Sequence, residues 1–345
     1  MLRELKRLKG LFFNTPLIAI DLMLNGEAKR LYAKYEALSF SGSIKDRMAY
    51  YLFESAYKTE TLKKNQPIVE VTSGNSGIAL SMLGRALGHK VHIVMPDWLS
   101  PERYQLMRLA GAEIIKVSNK EDGFAQSMAI AKDLAKRQGM YYPDQFSNQS
   151  NIQAHKETTA FEIECALETL NLKLDRFVAA AGSGGTVMGI NEYFYQKASK
   201  IKSHPLEVKN APILSTGVGG AHKIQGLNGE FIAQLMDFDR LGQIVSVDEN
   251  EALCVAYQLN RLGLSVGLSS GANFLGAIEL LKAHPDDVIV TTFADSALKY
   301  LSSDLFASDA SDLVLPQGIK LSGFSVISNR TKPLEILEHM DVQTA

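Results

Sequence analysis

Cysteine is scarce in this chain: of 345 residues only Cys165 and Cys254 are of that type. They lie far apart and lack the paired spacing of a zinc site or a redox dithiol, so they read as small buried apolar residues. No metal site or disulfide framework is expected, and a reducing compartment fits. An excess of charge of one sign is also missing, with 36 Lys and Arg against 38 Asp and Glu. Without a domain-wide basic field, neither nucleic acid nor an anionic membrane is an expected partner. No apolar run approaches the roughly 20 residues that span a bilayer. The start of the chain, Met1–Phe13, is basic but contains Glu4 and lacks a long apolar stretch. That speaks against a secretory signal and makes the cytoplasm the expected location. No fixed-period repeat, low-complexity segment or obvious linker is present.

What remains has the composition of an ordinary globular protein, 46% hydrophobic and 21% charged. The length favours two closely docked domains. Short β-rich runs alternate with helical patterns. Ile68–Thr72, Lys90–Met95, Glu113–Val117, Arg176–Ala181, Ala211–Thr216, Gln243–Val247 and Asp287–Phe293 read as strands. Gly77–Gly88, Glu102–Gly111, Gly123–Gln138, His155–Leu170, Val187–Lys200, Asn250–Leu262 and Gly271–Lys282 read as helices. This alternation implies βαβ units and an α/β fold with a mostly parallel sheet. Asp287–Phe293 is almost wholly Val, Ile and Thr, as suits a strand covered on both faces. The tail after Leu315 reads as polar and irregular, an extension packed on the body or on a second subunit.

Open α/β sheets bind ligands beyond the carboxyl ends of their strands. Three Gly/Ser-rich turns fall there. Thr72-Ser73-Gly74-Asn75-Ser76-Gly77 can cradle a carboxylate at a helix start, or be a helix cap with nothing bound. Gly182-Ser183-Gly184-Gly185-Thr186 lets backbone N–H groups approach an anion closely, or is a tight turn. No Gly-Lys-Ser/Thr follows, and Val187 stands where a third dinucleotide-binding glycine belongs, which favours a lone phosphate. Gly267-Leu268-Ser269-Ser270-Gly271 is a plain turn or a ligand contact.

Lys45, in Ser41-Gly42-Ser43-Ile44-Lys45-Asp46-Arg47, opens a helix whose apolar face carries Ile44, Met48, Tyr51 and Leu52. Ser43 and Asp46 have capping-box spacing. A helix start disfavours a cation, so Lys45 either points into solvent or is a lysine whose lowered pKa suits it to Schiff-base chemistry.

Together these segments resemble the fold-type II pyridoxal-phosphate enzymes, in particular the cysteine synthase and cystathionine β-synthase family. The similarity runs from about Asn14 to about Leu305. It rests on Asn14-Thr15-Pro16-Leu17, Ser43–Arg47, Thr72–Gly77, Met95-Pro96 with Ser100, Glu102 and Arg103, and Gln145-Phe146 with Asn148, Asn151 and His155. Gly182–Thr186, His222–Gly226, Gly267–Gly271, and Asp295-Ser296 with Tyr300–Ser302 complete it. The resemblance implies a tryptophan synthase β-like fold of two domains, each a mostly parallel twisted sheet flanked by helices. Residues 36–147 would form the smaller substrate-loop domain, 1–35 plus 148–315 the larger cofactor-phosphate domain, and 316–345 a C-terminal extension.

It also implies roles. Lys45 would hold pyridoxal 5'-phosphate as a Schiff base and shuttle the α-proton. Asn75 would contact the ring hydroxyl, and Gly182, Ser183, Gly184, Gly185 and Thr186 the phosphate. Ser269 would bond the ring nitrogen, a neutral partner that leaves a weaker electron sink and suits prompt loss of a β-substituent. Thr72, Ser73, Ser76 and Gln145 would bind the substrate carboxylate. The implied reaction is β-replacement on a serine- or cysteine-type amino acid, foremost cysteine synthesis from O-acetylserine and sulfide, by a homodimer. Alternatives are cystathionine formation, sulfide release from cysteine, or a non-catalytic amino-acid-binding relative.

Some positions depart from the family pattern. Ser39-Phe40 replaces Asn-Pro, Ser76 replaces Thr, and Asp295-Ser296-Ala297-Leu298-Lys299 replaces Asp-Ser-Gly-x-Arg. Glu230, in Gly226-Leu227-Asn228-Gly229-Glu230-Phe231, stands in a turn that lacks acids in cysteine synthases. It is a candidate catalytic group, acting on water or on a second amino acid's ammonium, or else a plain surface residue.

Overall fold

The structure is a computed structural model and describes residues 1–72, 74–96, 100–118, 123–227, 229–303 and 313–327. In chain order, α1 (Leu2–Leu8) precedes a hairpin of β1 (Leu17–Leu24) and β2 (Glu27–Tyr35), then α2 (Lys45–Lys58). Next come β3 (Ile68–Val71), α3 (Asn75–Ala86), β4 (Val91–Pro96), α4 (Pro101–Leu109), β5 (Glu113–Val117) and α5 (Gly123–Gln138). Then follow α6 (Ser150–Ala154), a π-helical segment (His155–Ala160), α7 (Phe161–Glu168), β6 (Arg176–Ala180), α8 (Gly185–Gln196) and β7 (Lys202–Val208). Last are α9 (Ile213–Thr216), β8 (Val245–Val247), α10 (Glu249–Arg261), α11 (Leu268–Ala283), β9 (Ile289–Phe293) and β10 (Ile319–Ile327).

Two sheets result. A seven-stranded sheet has the order β10-β1-β2-β9-β6-β7-β8, and a parallel three-stranded sheet the order β3-β4-β5. In the large sheet β2, β9, β6, β7 and β8 run parallel, while β1 pairs antiparallel with β2 and β10. The fully buried β9 is central, in keeping with its Val/Ile/Thr composition. Side-chain alternation sends Ile18, Ile20, Val178 and Leu206 to one face, under α10 and α11. Leu17, Ala19, Phe177 and Ala179 face the other, under α7 and α8. The small sheet is covered by α2, α3 and α4 on one side, with Leu5 of α1 in the same core, and by α5 on the other.

Several expectations need correction. Ala211–Thr216 is not a strand: Pro212 opens the one-turn helix α9, and Glu207 caps it by accepting from Leu214 N, Ser215 N and Ser215 Oγ. The strand lies earlier, at Lys202–Val208, and contains Pro205. Pro205 is tolerated because β8 reaches only Leu206–Val208, so one side of the strand has no ladder bond to lose there. The tail after Leu315 is not irregular throughout, since Ile319–Ile327 pairs along the whole of β1 with a bulge at Asp21/Leu22. The helix expected over His155–Leu170 is widened by the π-helical turn at His155–Ala160. Gly189 of α8 packs there so closely that a Cβ would come 2.6 Å from Ile152 O and 2.7 Å from His155 Cβ. The hairpin β1–β2, unread in the sequence, turns on Asn25 and Gly26 with φ of 52° and 89°, the left-handed pair of a type I′ turn.

Candidate active site

A cavity of about 670 Å³ opens between the two sheets' carboxyl ends. Its wall includes Lys45, Thr72, Asn75, Ser76, Gln145, Gly182, Ser183 and Glu230 of the residues singled out from sequence. Gly184, Gly185, Thr186 and Ser269 are not among its lining residues. Ser73 lies outside the described residues.

Lys45 is the first residue of α2 and half-buried rather than extended into solvent. Burial is the sole cause of its lowered pKa, brought from 10.5 to about 8. Half of the expected capping box forms: Asp46 accepts from Ser41 N at 2.7 Å and Ser43 N at 3.5 Å. The Ser43 hydroxyl makes no hydrogen bond.

Two positions beyond Lys45, Arg47 anchors the same helix turn in a cluster with no access to water. Its guanidinium donates to Glu36 (2.7 and 2.9 Å) and Glu162 (2.8 and 2.7 Å). Lys34 completes the cluster at 2.7 Å from Glu162 and bonds Thr15, whose hydroxyl donates to Glu36 at 2.6 Å. Burial alone would raise the Glu162 pKa, but Arg47 and Lys34 outweigh it and bring it to about 2. The cluster ties β2, α2 and α7 together and so fixes the point from which Lys45 projects.

The Thr72–Gly77 turn joins β3 to α3. Thr72 Oγ1 accepts from Gly74 N at 3.0 Å, and Ser76 Oγ donates to Gln145 Oε1 at 2.6 Å. Gln145 is oriented in turn by Val71 O, at 2.7 Å from its Nε2, and by Glu70, which accepts its backbone N–H at 3.2 Å. Burial raises the Glu70 pKa to about 8. This turn thus offers hydroxyls and a helix start to a carboxylate.

The Gly182–Thr186 turn joins β6 to α8. Met188 N makes the first helical bond, to Gly184 O, so the N–H groups before it point out of the helix start, where an anion is favoured. Glycine is required: a Cβ on Gly182 would lie 2.6 Å from Gly226 O, and one on Gly185 would lie 2.0 Å from Asn151 Oδ1. Asn151 Nδ2 donates to Ser183 Oγ (2.9 Å) and to Gln145 O (2.8 Å), linking this turn to the other. Thr186 Oγ1 is 3.4 Å from His155 Nε2. Burial, then the charges of Lys45 and Arg47, push the His155 pKa well down.

Ser269 lies in the first turn of α11, which starts earlier than the expected Gly271. It is buried beside Gly226, whose Cβ would stand 3.6 Å from the Ser269 hydroxyl. Glu230 is exposed at the cavity mouth and accepts the Phe124 backbone N–H; partial burial raises its pKa. Beside it Phe124, Phe146 and Phe231 form a three-ring cluster with centroids 5.0 to 5.6 Å apart. No spacing in the sequence marks a role for these rings or for Arg103, a buried cation on the wall. Arg103 and Phe146 were visible as members of the ordered motif, but only the fold brings them to the cavity.

This arrangement fits a phosphorylated aldehyde. The helix start at α8 would take an anion, Lys45 has an amine of lowered pKa on the cavity wall, and Asn75 and Ser269 would offer neutral hydrogen-bonding groups to a ring.

Comparison with known proteins agrees with that chemistry. A family model described as "Pyridoxal-phosphate dependent enzyme" matches residues 8–295. The chain is 37% identical over 310 residues to a probable cysteine synthase of Bacillus subtilis, covering 89% of this chain and 99% of that one. A hydrogen sulfide-producing enzyme from Fusobacterium nucleatum superposes with a TM-score of 0.90 at 44% identity, covering 95% of this chain and 100% of that one. An O-acetylserine dependent cystathionine β-synthase from Helicobacter pylori gives 0.79 at 32% identity, covering 87% and 98%.

Proposed function

The chain belongs to the pyridoxal-phosphate dependent enzymes, and from that premise we propose that it performs β-replacement on a serine- or cysteine-type amino acid, foremost as a cysteine synthase using O-acetylserine and sulfide. The observation that carries this reading is Lys45, an amine without a counter-ion in its pKa balance, facing one cavity with both an anion-binding helix start and a hydroxyl-rich turn.

Gly182, Ser183, Gly184, Gly185 and Thr186 would hold the cofactor phosphate, Asn75 would meet the ring hydroxyl and Ser269 the ring nitrogen. Thr72, Ser73, Ser76 and Gln145 take the substrate carboxylate, which orients the α-carbon toward Lys45. When bound, the cofactor supplies the sink for the electrons released at that carbon. Lys45 Nζ, neutral above about pH 8, takes the α-proton and later returns it.

A second reading is favoured by Glu230. A carboxylate at the cavity mouth can bind the ammonium of a second amino acid or activate water, as cystathionine formation or sulfide release from cysteine requires. We further propose a homodimeric cytoplasmic enzyme divided at residues 36–147, 1–35 plus 148–315, and 316–345. In support, no helix among the described residues is long and apolar enough to cross a membrane. Leu298 and Leu301 also expose 69% and 55% of their surface in one short segment.

The deciding experiment compares sulfide consumption with O-acetylserine against sulfide release from cysteine. Release without consumption would reject cysteine synthesis. Glu230→Ala is expected to reduce only reactions that need a second amino acid or water. Equal loss with sulfide as nucleophile would refute that selective role.

A further inference from the structure

Asn75 is gripped from both ends. Its Nδ2 donates to Asp295 Oδ2 at 2.6 Å, and its Oδ1 accepts from Lys299 Nζ at 3.0 Å. Asp295 is wholly buried and also accepts the Tyr300 hydroxyl at 2.6 Å on the same oxygen. Lys299 is 5% exposed; burial lowers its pKa, and Asp295 and Asp46, the neighbour of Lys45, act against that shift. Such contacts leave no ambiguity in the amide's direction. Lys299 Nζ donates and Asp295 Oδ2 accepts, so the oxygen of Asn75 faces Lys299 and a nitrogen hydrogen faces Asp295. The amide's one unclaimed hydrogen is its second Nδ2–H, and Asn75 stands on the cavity wall.

We infer that Lys299 is a positioning residue that, with Asp295, locks the Asn75 amide so that it meets the cofactor's ring oxygen only as a donor. This rests on the proposed contact between Asn75 and the ring hydroxyl. The consequence is electronic. A fixed donor favours the ionised ring oxygen, whereas a freed amide can turn its carbonyl to the ring and favour the protonated hydroxyl. These two forms of the bound cofactor absorb at different wavelengths, the ionised one at the longer. Lys299 stands where the family pattern has arginine, which can make the same donation to Oδ1.

The test is the visible absorption of the purified holoenzyme, with cofactor retention at Lys45 measured by borohydride reduction and mass. Lys299→Met is expected to shift the ratio of the two bands toward the shorter wavelength by roughly two- to tenfold, the scale of one hydrogen bond. Lys299→Arg should stay near the parent spectrum. In an Asn75→Ala background, Lys299→Met should add nothing further. If Asn75→Ala shifts the bands and Lys299→Met does not, the positioning role is wrong while the Asn75 contact stands. If Asn75→Ala leaves the spectrum unchanged, the contact itself fails and the inference falls with it. Should Lys299→Met not fold, Lys299→Gln carries the same comparison: a neutral donor there is expected to give an intermediate spectrum, and a parent-like one overturns the role.

Discussion

Lys34 and Lys45 are both drawn away from water, yet their surroundings differ in kind. Lys34, at 0% exposure, touches Glu162 and Thr15 inside a cluster whose two cations meet two carboxylates. Lys45 faces the cavity, and no carboxylate opposes the burial that lowers its pKa to about 8. A buried charge given partners becomes part of the framework, while one denied them becomes reactive. The two regions are joined through Arg47, so the neutral cluster holds in place the helix turn that presents the unpaired amine.

This contrast can be broken in a definite order. Glu162→Gln should have the largest effect on folding, a loss of roughly 3–5 kcal/mol, because it leaves two buried cations, Arg47 and Lys34, with Glu36 as their one carboxylate. Denaturant unfolding of the cofactor-free protein would measure it, and a loss below about 1 kcal/mol would mean that the cluster is not the framework argued for. Lys45→Ala should reverse the pattern. Turnover should fall by roughly 10²–10⁴-fold and the Schiff-base absorbance vanish, with the fold intact. An unchanged absorbance band would place the cofactor on another lysine.

A smaller effect sharpens the comparison further. The folded pKa of Lys45, about 8, lies below its ordinary 10.5. Below pH 8 the fold therefore carries a cation at its full desolvation cost, and that cost fades as pH rises from 8 to 10.5. Lys45→Met should thus stabilise the cofactor-free protein at pH 7 by roughly 1–3 kcal/mol, with the gain disappearing near pH 10.5. The same titration sets cofactor loading, since only the neutral amine attacks an aldehyde. The loading rate should climb with pH and level off above about 8, and a rate still rising toward pH 10 would deny the lowered pKa.

Much of this was legible in the linear chain because the signals are local. The helix of Lys45, the Thr72–Gly77 and Gly182–Thr186 turns, and the buried strand Ile289–Phe293 each carry their pattern within a few residues. Asn25-Gly26 announces its hairpin equally well, although the strands on either side mix charged and apolar residues. The strand Lys202–Val208 was hidden by Pro205, whose acceptability depends on how far β8 extends beside it. The short helix after it depends on Glu207 of that same strand. The grip of Lys299 on Asn75 spans 224 positions, and no spacing rule reaches that far. Arg47 could be read as part of a motif, but its two carboxylates come from β2's end and α7.

The pairing of Ile319–Ile327 with Leu17–Leu24 bears on solubility as much as on stability. Cleavage after Gly318 would uncover eight residues of backbone in an apolar strand, Leu-Ile-Ala-Ile-Asp-Leu-Met-Leu, ready to template the same strand of another molecule. Among the described residues β10 covers that edge: the bulge opposite Asp21 and Leu22 twists it, and Lys320, Ser322 and Ser325 place polar groups along it beside the exposed Phe324 and Val326. A protease that trims this end would therefore expose a template for strand addition on the sheet that carries the cavity.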